Sequence, residues 1–390
     1  MTSKPPFGGE VVRLGDVCEV EKAANPPGDD VWLLNLDAIE KNTGRVLSMQ
    51  YVSQGDLGSS TVAFSADAVL YSKLRPNLNK VVVPAMAGIA TSEILPLRAS
   101  EEKLDRTYLA CFLRSRPFVA YAVASTVGAK MPRVKRKTVL DCMIPLPSLS
   151  SQATIAEQLT SITAAMGLCE DYIGKLDELV KSRFVEMFGD PVDGAQWPRK
   201  QLGDIYDVKS SKRIYAREQT KSGVPFYRLA DINALVDEGA ADSGLFISEA
   251  RYWELVSAGQ VPIAGDILVT ARGTLGRCYV VGPDDCFYFQ DGMITWLSQK
   301  QASPLAIYIT SVFDNVHFID ELRRNCSGTT VNYLSIADLS QTTIPLPPLS
   351  IQREFADFAS CVDKLRVEAQ TQKEKLQTLY DSLAQDYFAI

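Results

Sequence analysis

Two loops of this sequence combine basic and amide side chains in a way that suits binding to phosphate groups or to base edges. Each loop follows a short apolar segment with strand character, Asp67–Leu70 or Asp266–Val269. A guanidinium group on such a loop can present a fork of N–H donors to a guanine edge or a phosphate. For any single residue, a solvated loop charge is the simpler interpretation. The candidate residues are Lys73, Arg75 and Asn77 in the first loop, and Arg272, Thr274 and Arg277 in the second.

A second matched pair of segments, residues 128–137 and 327–333, suits phosphate binding. The first segment is the densest basic run of the chain, and the second follows Arg323 and Arg324 at the equivalent place. Basic side chains, hydroxyl groups and glycine-exposed amides position a protein on a nucleic-acid backbone without reading its sequence. A solvated surface run is the weaker interpretation, because the charge recurs. The candidate residues are Lys130, Arg133, Lys135 and Arg136, with Thr329, Thr330, Asn332 and Tyr333 in the second segment.

Short strings that imitate catalytic motifs fail on their context. Pro5-Pro6-Phe7 lacks the Asn or Asp that precedes the Pro-Pro-aromatic loop of DNA adenine methyltransferases, and Asn25-Pro26-Pro27 lacks the aromatic residue. The glycine turn at 272–276 lacks the spacing and the lysine of a phosphate-binding loop. His317 is the only histidine, which excludes a multi-histidine metal site. We expect no catalytic residue, no metal, and no AdoMet or ATP site in this chain.

Length and composition predict more than one globular unit. The chain has 390 residues, of which 46% are hydrophobic, and this is too long for one ordinary core. Its apolar runs are too short to span a membrane, and its first residues do not resemble a secretory signal, so we expect a cytoplasmic protein without a membrane partner. The net charge of −7 argues against nonspecific coating of nucleic acid but is compatible with local basic patches.

The sequence contains an internal repeat. The pattern Ile-Pro-Leu-Pro-x-Leu-Ser-x-Gln occurs at Ile144–Gln152 and again at Ile344–Gln352, and Leu14-Gly15-Asp16 matches Leu202-Gly203-Asp204. The second copy carries additional residues, which we place around Asp237–Gly259. Repetition on this scale predicts two units of related fold.

Each copy begins with a region of short predicted strands and helices. Turn residues bound β-branched segments, which is typical of strands. The predicted strands are Val31–Asn35, Lys80–Pro84, Ile89–Leu97 and Cys278–Val281, and the predicted helices are Tyr108–Arg114 and Leu305–Phe313. The expected fold class is therefore α/β (α+β), with two similar mixed α/β domains.

After each Pro-rich motif, apolar residues recur in steps of three and four, which indicates a long helix that pairs lengthwise with another. Such a helix of roughly 35–40 residues is about 50–60 Å long. Length argues against the alternative of an ordinary helix lying on its own globule. The first helix should end at Gly189-Asp190-Pro191, and Arg366 and Lys373 on the second seam predict looser packing there. The seam residues are Ile155, Leu159, Ile162, Met166, Ile173, Leu176, Val180, Phe355, Val362, Leu376, Tyr380 and Leu383.

Together these motifs resemble the specificity subunit of a type I restriction-modification system. The resemblance is carried by the repeated Ile-Pro-Leu-Pro-x-Leu-Ser-x-Gln motif and by Glu186–Pro191, and it covers essentially the whole chain. It implies two target recognition domains, at residues 1–147 and 191–347, whose variable parts are Val11–Asp141 and Gln201–Gln341. Residues 148–190 and 348–390 then match the two conserved helices, which in this family form an antiparallel coiled coil with pseudo-twofold symmetry.

The resemblance also implies a function without catalysis. Each recognition domain would read one half of a bipartite, asymmetric site in double-stranded DNA, and the coiled coil would set the spacer. The implied partners are two modification subunits, which use AdoMet, and restriction subunits, which use ATP. The alternative is a coiled-coil scaffold or assembly protein that does not read DNA sequence.

Overall fold

The computed structural model describes residues 9–128, 130–194, 196–300, 304–325 and 333–389. The chain divides into two compact units. Unit 1 comprises Met1–Ile173 and Glu368–Ile390, and unit 2 comprises Gly174–Val367. The long helices are therefore shared, because each contributes one part of its length to each unit.

The described elements of the first repeat end with a helix of 40 residues. They are β1 (Glu10–Arg13), β2 (Cys18–Val20), β3 (Asp30–Leu34), β4 (Gln50–Ser53), β5 (Thr61–Phe64), β6 (Val69–Ser72), β7 (Val81–Val82), β8 (Gly88–Thr91), β9 (Ile94–Ala99), α1 (Arg106–Arg114), α2 (Arg116–Ala124), α3 (Arg136–Asp141), β10 (Met143–Leu146) and α4 (Leu149–Phe188).

The second repeat also ends with a helix of 40 residues. Its described elements are β11 (Arg199–Gln201), α5 (Leu202–Ile205), β12 (Tyr206–Lys209), β13 (Gln219–Thr220), β14 (Val224–Tyr227), α6 (Leu229–Glu238), β15 (Phe246–Ile247), α7 (Glu249–Ser257), β16 (Ile267–Thr270), β17 (Cys278–Val280), β18 (Tyr288–Phe289), β19 (Ile294–Gln299), α8 (Ala306–Phe313), α9 (Val316–Asn325), α10 (Ile336–Gln341), β20 (Thr343–Pro345) and α11 (Leu349–Phe388).

Unit 1 packs two four-stranded sheets and a layer of helices. One sheet has the order β2-β9-β6-β7, and the other has the order β4-β3-β8-β5 with β3 and β8 parallel. Strand β6 is buried throughout because both of its faces are covered. Val69 and Tyr71 face the helical core, whereas Leu70 belongs to the core that includes Trp32 and Phe64.

Unit 2 repeats this arrangement with a different second sheet. Strands β12-β19-β16-β17 match the first sheet of unit 1, and β13-β15-β14-β18 form the second, in which β14 and β18 are parallel. As in β6, alternate side chains of the buried strand β16 face two different cores. Ile267 and Val269 face the helical core, and Leu268 lies in the core with Phe289 and Trp296.

The predicted fold class is confirmed, but two local expectations need correction. Residues Ile89–Leu97 are not one strand, because Ser92 and Glu93 lie in a turn that separates β8 from β9, and these strands belong to different sheets. The additional residues of the second copy do not lie only at 237–259. Segments 210–223 and 228–266 are each longer than their counterparts 21–29 and 35–68, and α6, β15 and α7 stand where unit 1 has β4 and β5.

The glutamine of each repeated motif fixes the start of a long helix. The Gln152 side chain is fully buried. Its Oε1 accepts a hydrogen bond from the backbone N–H of Asp105 at 2.8 Å, and its Nε2 donates to the carbonyl groups of Lys103 and Pro147. Gln352 does the same in unit 2, where it accepts from Leu305 and donates to Pro347. Buried amides of this kind are stable only when their hydrogen bonds are made.

In each unit the two long helices run antiparallel. In unit 1, the Tyr387 hydroxyl donates to Gln158 at 2.7 Å and Lys373 pairs with Glu170 at 2.8 Å. The later residue of α11 thus contacts the earlier residue of α4, which shows that the two helices run in opposite directions. In unit 2, Phe184 and Phe188 contact Phe355. Helix α4 ends at Phe188, as predicted, and Gly189 follows with a φ of +78°. Among the described residues, no helix has the length and apolar character that crossing a membrane requires.

Candidate nucleic-acid interface

In unit 1 the two basic segments, predicted separately, lie side by side. The backbone N–H of Arg75 donates to the carbonyl of Pro132 at 2.8 Å, and the N–H of Val134 donates to Lys73 at 3.0 Å. Leu74 and Arg133 form an isolated β-bridge between these hydrogen bonds. The loop after β6 and the segment before α3 are therefore one surface feature, the basic loop pair of unit 1 (residues 73–77 and 130–137).

Unit 2 has a loop pair at the same topological position. The N–H of Leu334 donates to the carbonyl of Ala271 at 3.1 Å, and Arg272 bridges to Tyr333. The guanidinium carbon of Arg272 lies 4.6 Å from the centre of the Tyr333 ring, which is a cation–π contact. The predicted residues Thr329, Thr330 and Asn332 lie outside the described residues.

Three of the predicted side chains are held by partners within their own unit. Arg133 forms a salt bridge with Glu93 at 2.9 Å, and hydrogen bonding to Glu93 raises the pKa of Arg133 above its usual value. Arg277 is paired with Asp237 of α6, and this hydrogen bond lowers the pKa of the Asp237 carboxyl. The Thr274 hydroxyl donates to the Asn233 side chain at 3.1 Å. These contacts fix the loops but leave fewer free donors for a ligand.

The other predicted cations of unit 1 have no such partner. Within the described residues, their side chains make no ion pair or hydrogen bond, and all but Lys73 are exposed, as is the amide of Asn77. Since an unpaired surface cation keeps its full charge for an incoming anion, this surface suits phosphate groups. These residues are Lys73, Arg75, Lys130, Lys135, Arg136 and the adjacent Lys137.

The capping of the helix that follows each loop pair differs between the units. In unit 2, Ser335 and Asp338 form a capping box at the start of α10. In unit 1, the corresponding residue before α3 is Lys135, whose side chain makes no capping hydrogen bond, and Arg136 and Lys137 occupy the first turn. Positive charge at a helix N-terminus is unfavourable by several tenths of a kcal/mol, and a lost cap costs about 1 kcal/mol. Helix stability therefore does not explain this run of cations.

The predicted seam residues are most buried where the helices meet the globular cores. Of the full set, Ile155, Leu159, Met166, Leu176, Phe355, Val362 and Tyr380 are buried, and Ile162, Ile173, Val180, Leu376 and Leu383 are half-buried. The middle of α11 is looser, because Arg366 is exposed and Lys373 reaches Glu170. Exposed apolar side chains also lie in the middle parts of the helices, among them Leu168, Tyr172, Leu179, Leu365 and Leu379.

Comparison with known proteins agrees with this architecture. Residues 195–378 match the family described as type I restriction modification DNA specificity domain. A putative type I restriction enzyme specificity subunit of Haemophilus influenzae is 26% identical over 66% of this chain, and the chain spans 64% of that protein's length. The MjaVIII specificity subunit of Methanocaldococcus jannaschii is 21% identical over 95% of this chain and 90% of its own length.

A solved structure of a type I restriction-modification system, determined to explain complex assembly and conformational transition, has the same fold. It covers 99% of both chains with a TM-score of 0.59 and 21% identity. Residues 195–378 therefore contain a type I restriction modification DNA specificity domain, and the whole chain has the fold of a solved chain of a type I restriction-modification system. The matched family is described as a DNA specificity domain, and both relatives are named as specificity subunits.

Sequence reasoning missed several polar residues of the candidate interface in unit 2. Arg213, Arg228, Gln290 and Asp291 line a surface cavity beside Arg272 in unit 2. They stand on separate segments with no shared motif or spacing, so a sequence pattern could not group them. Only the pairing of β14 with β18 and of Ala271 with Met293 brings these segments together.

Proposed function

We propose that this chain is a type I specificity subunit that reads a bipartite, asymmetric site in double-stranded DNA, with each unit reading one half. The observation that carries the proposal is the loop pair at one topological position in both units, Leu74 bridged to Arg133 and Arg272 bridged to Tyr333. The side chains of the two pairs differ. One fold that presents different polar side chains at equivalent positions would read a different sequence in each half.

The basic loop pair of unit 1 supplies backbone contacts to DNA. Its unpaired lysines and arginines would replace condensed counterions on the phosphates, and this sequence-independent term contributes much of the affinity of DNA-binding proteins. Phosphate contacts fix the register of a protein on the duplex, and residues that reach the groove then read the bases. The net charge of −7 is no obstacle, because the cations are concentrated where the phosphates would lie.

We propose that the long helices set the unread spacer and hold the partner subunits. Leu168, Tyr172, Leu179 and Leu379 are 45–70% exposed, and apolar side chains on a helix surface often mark protein interfaces. Two modification subunits would bind there and methylate adenine with AdoMet, and restriction subunits would add ATP-dependent translocation and cleavage. This chain would position the DNA for them. A scaffold without DNA reading would account for the helices but gives no reason for the two loop pairs.

Domain exchange tests the proposal. The modification subunits are expressed with the native chain, or with a chain in which residues 201–341 come from another specificity subunit, and methylated adenines are mapped across a genome. We expect one half of the methylated motif to change and the other half to persist. A reciprocal exchange of residues 11–141 serves as the matched control and should change only the other half. Alteration of both halves by a single exchange, or of neither half, would overturn the proposal.

A further inference from the structure

The surface cavity beside Arg272 in unit 2 has the chemistry of a base-reading site. It has a volume of about 450 Å³ and is lined by Arg213, Arg228, Arg272, Gln219, Gln290 and Asp291, above the buried side chains of Ile214 and Phe226. We propose that this cavity receives the major-groove edge of a guanine in the half-site read by unit 2, with Arg272 as the residue that recognises it. The inference rests on the proposed function and assigns it to named residues.

The cavity is built from four chain segments that backbone hydrogen bonds hold in place. The N–H of Gln290 donates to the carbonyl of Tyr227 at 2.8 Å, and the N–H of Ala271 donates to Met293 at 2.9 Å. Gly292 N–H donates to the Ser210 hydroxyl at 3.2 Å, which ties down the segment that carries Arg213. The three guanidinium groups are thus mounted on a fixed frame, as a site that discriminates between bases requires.

The arginines differ in how free they are. Arg213 donates from Nε to Asp291 at 2.7 Å, and Arg228 lies 3.6 Å from Asp231. Arg272 has neither an ion pair nor a side-chain hydrogen bond within the described residues, and its contact is the ring of Tyr333 at 4.6 Å. Packing against an aromatic ring restricts the orientation of a guanidinium group without occupying its N–H donors. Arg272 is therefore both oriented and available.

The lining selects a base edge over a phosphate. A phosphate only accepts hydrogen bonds, so an all-cationic surface would serve it best, as in the basic loop pair of unit 1. This cavity also contains the Asp291 carboxylate and two glutamine amides, which can accept hydrogen bonds from base amino groups. Guanine offers the O6 and N7 acceptors in the major groove, which match the two-donor fork of arginine. Asp291 and the glutamines could accept from an amino group of cytosine or adenine beside it.

The test uses DNA binding by the complex of this chain with its modification subunits. The probe is a duplex that carries the methylated motif mapped for the native complex, with the unit 2 half identified by exchange of residues 201–341. Each guanine in that half is replaced in turn by 7-deazaguanine, which lacks the N7 acceptor, or by inosine, which lacks only the minor-groove amino group. The variants are Arg272→Ala, which removes every hydrogen-bond donor of this side chain, and Arg217→Ala, a control that removes another exposed arginine of unit 2 lying over a tyrosine ring, Tyr215.

We expect one guanine at which 7-deazaguanine weakens native binding about tenfold to a hundredfold, whereas inosine has little effect. Arg272→Ala should weaken binding to the unmodified duplex by at least a similar factor and should remove the sensitivity to 7-deazaguanine, because the two changes break the same contact. Arg217→Ala should keep that sensitivity. Retained sensitivity to 7-deazaguanine in Arg272→Ala, or a unit 2 half-site without a guanine, would overturn this inference while leaving the proposed function intact. A complex that binds no DNA specifically would instead overturn the proposed function.

Discussion

The ring of Phe188, the last residue of α4, lies 4.9 Å from the ring of Tyr308 and helps to close the helical core of unit 2. Phe388, the last residue of α11, packs in the same way on Tyr108 in unit 1, with the ring centres 5.3 Å apart. Helix α4 begins in the helical core of unit 1 and ends in that of unit 2, whereas α11 begins in the helical core of unit 2 and ends in that of unit 1. Neither repeat of the sequence therefore contains a complete core by itself.

Replacement of these terminal phenylalanines should destabilise one unit at a time. Phe388→Ala removes a fully buried ring from unit 1, and Phe188→Ala removes one from unit 2. We expect each to lower the free energy of unfolding of its unit by about 3–5 kcal/mol. Hydrogen exchange resolved by peptide measures this, with the loss of protection expected around α1 for Phe388→Ala and around α8 for Phe188→Ala.

Leu379→Ala is the matched control, because Leu379 lies on the same helix and is 48% exposed. It should change protection little. Equal loss of protection in both units after either phenylalanine substitution would contradict the division of the core residues described above.

The buried glutamines of the repeated motif provide a second prediction. Gln152→Ala leaves the N–H of Asp105 and the carbonyl groups of Lys103 and Pro147 without the partner they have now. Since an unsatisfied buried polar group costs about 1–3 kcal/mol, we expect a loss of roughly 3 kcal/mol in the stability of unit 1. Chemical denaturation monitored by fluorescence measures it. Glu157→Ala, an exposed change on the same helix, should be nearly neutral, and a comparable loss in that variant would argue against the role given to Gln152.

The sequence predicted the repeat and both long helices because their signals are local. Each of these signals lies within a few residues of the element that it predicts. The signals are the Ile-Pro-Leu-Pro motif, the three-and-four periodicity and Gly189. The motif did not reveal why Gln152 and Gln352 recur, since their partners Asp105 and Leu305 are 47 residues away. Heptad spacing likewise predicted the seam but not that Tyr380 and Phe388 end in the core of unit 1.

The candidate site was predictable only in part, for the same physical reason. Lys73–Asn77 and Lys130–Arg136 were recognised as separate basic segments, but their pairing depends on hydrogen bonds between residues about 60 positions apart, such as Arg75 and Pro132. Composition could not show that Glu93 neutralises Arg133 or that Asp237 neutralises Arg277. Arg213 and Arg228 carried no sequence signal, because contacts between segments far apart in the sequence bring them beside Arg272.

Asp314, at the end of α8, should make stability depend on pH. Desolvation by neighbouring side chains raises the pKa of this carboxyl above its ordinary value, although Asp314 keeps contact with solvent and the charges of Lys181 and Arg277 oppose the shift. A raised folded-state pKa means that the folded protein binds the proton more tightly. This contribution to stability is present below the unfolded pKa, near 4, and is lost as pH rises through the folded value. Asp314→Asn should therefore raise the denaturation midpoint at pH 7 and lose that advantage near pH 3.

The control for Asp314 is Asp320→Asn. Asp320 is about half exposed and pairs with Arg323 one turn away, so its removal should change stability by less than about 1 kcal/mol at either pH. A gain for Asp314→Asn that is the same at pH 7 and pH 3 would show that ionisation of Asp314 is not its cause.

The unpaired cations of unit 1 should be visible in the salt dependence of DNA binding. If Lys135 and Arg136 each contact a phosphate, the double substitution Lys135→Ala with Arg136→Ala removes two released counterions. The slope of log K against log salt should then fall in magnitude by about 1.8, with lower affinity and an unchanged methylation motif. Arg13→Ala with Arg98→Ala is the control, since both arginines are engaged by carboxylates in unit 1. An unchanged slope in the first variant would remove these residues from the interface.

Matched insertions in the long helices test whether they set the spacer. One heptad is added after Ile173 in α4 and a complementary heptad after Val367 in α11, because an insertion in only one helix would shift the register of the antiparallel pair. Seven residues lengthen a helix by about 10 Å, which corresponds to at most about three base pairs of DNA. We expect both half-sites of the methylated motif to be kept and the unread gap between them to grow.

The single-helix insertion after Ile173 is the control and should reduce methylation by disturbing pairs such as Lys373 with Glu170. A matched insertion that methylates efficiently with the original gap would show that something other than helix length determines the spacer.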